Sequence, residues 1–354
     1  MAADGFRAMK LLPIIATGLV AVPGGFLFDF LRIPLPWMLG PLTITLLYNA
    51  VGGQRARWLV GLRNAGLIVI GYSMGRTVTV ETTEQILANL PAMAAVTLLT
   101  VLFCAGIGYV THRRTGVSLA TGLLGNMPGG LAQMLLLGEE IADADATVVT
   151  FLQMSRVLTV VFIVPFIATY GIAHPAGVPL VPPAAGTVGR SLAALLPALL
   201  VAPLGAWLAS RLKMPIPYLL GPIFATAAAG LLGAPVPSVP SPLVHTAQLF
   251  FGVYMGTIIA LDSLPRLGRV FPSAIGGSVA LVAFTYLLGK VLTLVTPADL
   301  LTAFLSTAPG GVTEMGIVAL SLNADVAFVL AFHLFRLFSI LLVVPPLLKR
   351  RFRQ

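Results

Sequence analysis

Met127-Pro-Gly-Gly-Leu-Ala-Gln-Met134 returns 181 residues later as Ala308-Pro-Gly-Gly-Val-Thr-Glu-Met315. Each copy interrupts an apolar run. Proline removes a backbone donor and glycine is a poor helix former, so a regular helix should stop there. Proline also suits the first turn of a new helix, so a second short helix is expected to begin at the Pro-Gly-Gly. In lipid such an interruption survives only where protein or a water-filled cavity satisfies the freed backbone groups.

Outward from this pair, other stretches repeat at the same offset. Arg32-Ile-Pro-Leu-Pro-Trp-Met-Leu-Gly-Pro41 matches Lys213-Met-Pro-Ile-Pro-Tyr-Leu-Leu-Gly-Pro222, and Gly71-Tyr-Ser-Met-Gly75 matches Gly252-Val-Tyr-Met-Gly256. One residue out of phase, Gln153-Met-Ser-Arg156 matches His333-Leu-Phe-Arg336. The chain therefore reads as two homologous halves, a first membrane repeat over 1–172 and a second over 189–354, with a Pro- and Gly-rich linker over 173–188. Each half shows six apolar segments. They lie near 11–29, 34–51, 58–79, 86–110, 117–138 and 146–170, then near 190–210, 215–233, 243–261, 270–295, 299–320 and 325–348.

Charged residues make up 9% of the chain, against roughly 25% in soluble domains, too few to cover a soluble fold of this length. Mean hydropathy is +0.98, and the apolar runs suffice to cross a ~30 Å hydrocarbon core as helices. The fold class is all-α polytopic membrane protein. The net charge of +9 comes from basic residues scattered through short loops, without a separate basic module, so direct nucleic-acid binding is not expected. The single Cys104 excludes a disulfide framework, and the spacing of His112, His174, His245 and His333 is no metal-ligand pattern.

Loop charges bear on orientation. With every segment spanning and a cytoplasmic N-terminus, Arg32, Arg211, Lys213, Arg266 and Arg269 fall outside. If the fifth segment of each half fails to cross, the second half flips, and only Arg32 and Arg190 lie outside. The positive-inside rule favours this arrangement, with both termini cytoplasmic and the halves as inverted-topology repeats carrying broken or re-entrant helices at Pro-Gly-Gly.

Arg156 and Arg336 lie near the centre of the sixth segment of each half, with Gln153 and His333 three residues earlier on the same helical face. A lipid-facing arginine there costs at least roughly 2.5–3.5 kcal/mol, so both should point into the protein. They either anchor an anionic group or bridge backbone carbonyls or a carboxylate such as Glu139, Asp145 or Asp325. The helix N-terminus after each break favours an anion, and Gly129, Gly130, Gly310 and Gly311 permit close approach. Asn126 and Thr307 precede Pro128 and Pro309 and are placed to cap or coordinate. Glu314, opposite the neutral Gln133, is a candidate for coupling to H⁺ or Na⁺, or else caps its helix or pairs with Arg336. Gly71-xxx-Gly75 and Gly252-xxx-Gly256 fit close helix packing. No enzyme signature stands out.

These doubled motifs resemble the bacterial AbrB-duplication membrane proteins, and the resemblance runs from about Leu11 to Leu348. The family is labelled both a membrane regulator of gene expression and an ammonia monooxygenase, and it shares only its name with the small DNA-binding AbrB regulators. The resemblance implies residence in the bacterial inner (plasma) membrane. The expected function is secondary transport of a small anionic solute, bound by the residues at the two breaks together with Gln153, Arg156, His333 and Arg336. The alternatives are a membrane sensor influencing gene expression and, more remotely, a membrane oxygenase. The expected partners are the lipid bilayer, the solute and, as an open option, further copies of the chain. No cofactor is expected beyond a coupling ion.

Overall fold

The structure, a computed structural model, describes residues 2–52, 56–129, 131–141, 143–173, 192–259 and 268–352. Among the described residues there are fifteen α-helices and no strand. The first half supplies α1 (Ala2–Phe30), α2 (Pro36–Gly52), α3 (Val60–Gly75), α4 (Val80–Ala88), α5 (Leu90–Thr115), α6 (Leu119–Asn126), α7 (Leu131–Glu140) and α8 (Ala146–Phe166). A π-helical stretch over Ile167–Ala173 continues α8. The second half supplies α9 (Leu192–Arg211), α10 (Pro217–Leu231), α11 (Ser241–Ile258), α12 (Phe271–Val295), α13 (Leu300–Thr307), α14 (Val312–Ser321) and α15 (Val326–Phe352). The linker lies, from residue 174 onward, outside the described residues, as do Gly130, Arg190 and Arg266.

Five stretches are long and apolar enough to cross a membrane: Pro13–Phe30, Leu90–Thr115, Ala146–Ala173, Phe271–Val295 and Val326–Leu348. Large apolar side chains such as Leu19, Leu102, Leu200 and Leu294 are exposed along the helices, which a lipid solvent tolerates and water does not. This is a multi-pass membrane protein. One element was not anticipated. The fourth apolar segment is preceded by a separate short helix, α4, which carries Glu81 and Glu84 and buries none of its residues. Pro91 in the first turn of α5 separates the two, because it supplies no donor to continue the α4 ladder.

The chain divides into two compact units, and neither is a sequence half. One comprises Met1–Thr83, Gly177–Leu261 and Leu320–Ala327; the other comprises Glu84–Ala176, Asp262–Ala319 and Phe328–Gln354. The first unit thus takes α1–α3 and α9–α11, and the second takes α5–α8 and α12–α15 apart from the turn around 320–327, with the boundary falling inside α4.

In the first unit the glycine motifs are contact points. A Cβ on Gly71 would lie 2.6 Å from the Leu219 carbonyl oxygen, and one on Gly75 would lie 2.5 Å from that of Ile223. Gly252 and Gly256 press in the same way on the Met38 and Leu42 carbonyls. The Gly-xxx-Gly helix of each half therefore docks on the Leu-Gly-Pro helix of the other, backbone to backbone. The equivalent helices α3 and α11 run antiparallel: Arg63 stacks 4.8 Å over Tyr254 while Gly66 abuts Ala247. The repeated loops also share a backbone. Arg32 and Leu35, like Lys213 and Ile216, all take positive φ, a conformation uncommon for residues other than glycine.

In the second unit the equivalent pair α5 and α12 also runs antiparallel. Phe103 and Phe284 stack with ring centroids 4.0 Å apart, and Ile107 meets Gly277. Against this pair pack α6, at Gly108 and Gly122, and α13, where Phe304 meets Gly289.

Candidate functional site

Both Pro-Gly-Gly segments are breaks between two short helices, and both lie in the second unit. At 1.5 Å per residue the eight-residue α6 and α13 span about 12 Å and the ten-residue α7 and α14 about 15 Å, each about half a membrane core. Proline dictates where the first piece stops. The residue before proline is pushed out of the helical region, and Met127 (φ −69°, ψ 133°) and Ala308 (φ −52°, ψ 141°) are both extended. The starts are fixed by equivalent caps. Ser118 accepts from the Thr121 amide, and Asp299 accepts from the Leu301 and Thr302 amides.

Ending a helix in the interior leaves its last carbonyls without partners, and a positive group suits that end of the dipole. The buried arginines supply both. Arg156 donates from one terminal nitrogen to the carbonyls of Asn126 (3.1 Å) and Met127 (2.9 Å). Arg336 donates from the same nitrogen to those of Thr307 (3.4 Å) and Ala308 (2.8 Å), the equivalent residues. Backbone carbonyls are therefore partners of both arginines. Asp145 instead caps α8, accepting from the Thr147 and Val148 amides. The arginines are 8% and 6% exposed, and each lies within electrostatic reach of the other and of Cys104.

The second terminal nitrogen separates the halves. In Arg156 it donates to the side chain of Gln153 (2.7 Å), which in turn donates to the carbonyls of Leu124 (2.7 Å) and Met127 (2.9 Å). In Arg336 it donates to the Gly310 carbonyl (2.7 Å). His333, in the place of Gln153, turns Nδ1 to the Val329 carbonyl (2.9 Å) one turn back on its own helix. Among the described residues, the Nε of Arg156 is buried without a hydrogen-bond partner.

Around the breaks, Asn126 donates to the Gly122 carbonyl (2.9 Å) and touches the Thr111 hydroxyl (3.5 Å). Thr307, fully buried, donates to the Thr285 carbonyl (2.7 Å), tying α13 to α12. Pro128 is half-buried and Pro309 buried. Glu314 folds back on the start of α14, and its carboxylate accepts from the amides of Gly311 and of Glu314 itself. This is the reaching-back half of a capping box, and the Gly311 carbonyl accepts the first helical bond, from Met315 (3.1 Å). Gly311 is exposed, and Gly310 and Glu314 are half-buried, so this end of the second break is accessible. The half-buried Gln133 holds the equivalent place near the start of α7.

Two further contributors carried a signal that the sequence reading did not use. Met134 and Met315, the last residues of the repeated motif, cover Gly129 and Gly310, and Ile340 of α15 also presses on Gly129. The last residue of each motif thus packs on the first glycine of its own break. Thr111 and Thr285 could not have been found, because nothing in their sequence context marks a contact across helices.

Residues 37–351 match the family model described as "Transition state regulatory protein AbrB". The chain is 26% identical over 352 residues to "Uncharacterized protein YhjN" of Bacillus subtilis (strain 168), covering 92% of this chain and 90% of that protein. It is 26% identical over 348 residues to "Putative regulator AbrB" of Escherichia coli (strain K12), covering 95% and 96%. A match of that extent decides membership, and the doubled breaks lie within it: the chain belongs to the AbrB family of multi-span bacterial membrane proteins.

Proposed function

We propose that the chain is an inverted-repeat secondary transporter of a small anionic solute in the bacterial inner membrane, with both termini cytoplasmic. One observation carries the reading. Two equivalent helix breaks, from different halves, lie in one compact unit, and each is held by a buried arginine whose hydrogen-bond partners are neutral carbonyls or an amide. Neutral partners leave two positive charges in a low-dielectric interior, an environment that favours a visiting anion. The antiparallel pairing of α3 with α11 and of α5 with α12 supports inverted topology, because equivalent helices of inverted repeats must run in opposite directions.

The solute would meet the accessible start of α14 at Gly310, Gly311 and Glu314, with Gln133, Gly129 and Asn126 on the first break. Glu314 already places an anionic group at that helix start, so solute and carboxylate compete for the same amides. Protonation of Glu314, or its pairing with Na⁺, would release them, and this is the coupling step. The protein would act without a catalytic step or cofactor. The moving body in alternating access would be a compact unit, not a sequence half, because each unit is built from both halves.

The regulatory wording of the family model and of the E. coli relative favours a second reading, a sensor that binds the solute without moving it. A thermal-shift screen of the purified protein against mono- and dicarboxylates and amines, repeated with Glu314→Gln, tests the site. Carboxylates should stabilise the protein, and the variant should bind them more tightly because the competing charge is gone. Stabilisation by amines alone would contradict it.

A further inference from the structure

We infer that the groove between α5 and α12 is a binding site for one anionic membrane phospholipid, with an acyl chain in the groove and the phosphate on Arg114. The groove encloses about 460 Å³, lined on α5 by residues from Leu102 to Arg114 and on α12 by residues from Pro272 to Ala280. Its walls are apolar for most of their length, and the polar groups Arg114, Thr111 and Ser273 gather at one end. The opposite end is closed by the stacked rings of Phe103 and Phe284.

Three features select the occupant. Length comes first. From Phe103 to Arg114 the helix rises about 16 Å, close to half of a ~30 Å hydrocarbon core, which is the reach of one leaflet's acyl chain. Shape comes second. Gly106 and Gly276 face open space, with nothing within 4 Å of a Cβ built on either, so the groove exists because these positions lack side chains. Charge comes third. Arg114 is exposed at the polar end, beside the exposed Arg113, in the last turn of α5. A basic end on an apolar slot between membrane helices fits a lipid phosphate. The groove also backs onto the first break, since Thr111 lines it and touches Asn126.

Delipidated full-length protein, examined by native mass spectrometry with added phosphatidylglycerol or phosphatidylcholine, tests this. Wild type should retain one phosphatidylglycerol per chain, at least tenfold more tightly than phosphatidylcholine. Gly106→Leu with Gly276→Leu puts side chains into the slot from positions where a Cβ has nothing within 4 Å, and should weaken retention of both lipids at least tenfold with an unchanged melting temperature. Arg114→Gln should keep a bound lipid but lose the preference for phosphatidylglycerol. Equal retention of phosphatidylglycerol by the leucine variant would overturn the proposal, as would equal retention of both lipids by wild type. Competition by glycerol phosphate alone would assign the arginine to a soluble anion instead. Conversion of a dimeric mass to a monomeric one in the leucine variant would make the groove a contact between copies of the chain.

Discussion

At the first break Gln153 and Arg156 together satisfy the carbonyls of Leu124, Asn126 and Met127, whereas at the second Arg336 donates to those of Thr307, Ala308 and Gly310. The first break is a closed network in which amide and guanidinium brace each other. The second leaves His333 folded onto its own helix, and it exposes Gly311 beside a carboxylate. The same duplicated plan therefore yields one braced break and one less constrained break.

The sharpest way to break this comparison is to remove the arginines. Each buried carbonyl left without a donor costs about 1–3 kcal/mol. Arg336→Gln removes the donor from three carbonyls, those of Thr307, Ala308 and Gly310, so a loss of about 3–9 kcal/mol is expected, read as a fall in the unfolding midpoint in detergent. Arg156→Gln should cost about 1–3 kcal/mol, because Gln153 still serves Met127 and Leu124. Equal losses would mean that the two breaks share support that the hydrogen bonds do not reveal.

Swapping the neighbours gives a smaller effect of defined sign. Gln153→His should destabilise by about 1–3 kcal/mol, since an imidazole cannot donate to two carbonyls and also accept from Arg156. His333→Gln installs the residue of the first half and should cost less than about 1 kcal/mol, or stabilise. A reversed order would sink the idea that the first break is the braced one.

The smallest expected effect on stability belongs to Glu314→Gln. Its capping bond is replaceable by an amide oxygen, so the change should stay below about 1 kcal/mol, while the proton dependence of flux should disappear. Gln133→Glu in that background should not restore it if only the second break couples.

Much of this was legible in the sequence because the duplication placed two independent copies of each motif side by side. Pro128 and Pro309 end their helices by local sterics alone, so both breaks could be placed to the residue. The burial of Arg156 and Arg336 followed from their cost in lipid, yet which groups they touch did not. Carbonyls carry no sequence signature, and a carboxylate partner was equally compatible with the spacing. The partition into units was not legible either. It depends on Gly71, Gly75, Gly252 and Gly256 docking on helices of the opposite half, and small-residue motifs announce close packing without naming the partner.

The most direct test of transport through the two breaks is charge movement in proteoliposomes that contain only this protein, recorded on a solid-supported membrane during jumps of mono- and dicarboxylates. The account predicts a transient current with at least one carboxylate, and loss of its pH dependence in Glu314→Gln. A carboxylate that raises the melting temperature yet moves no charge and no labelled solute at any pH would contradict it and leave the protein a sensor.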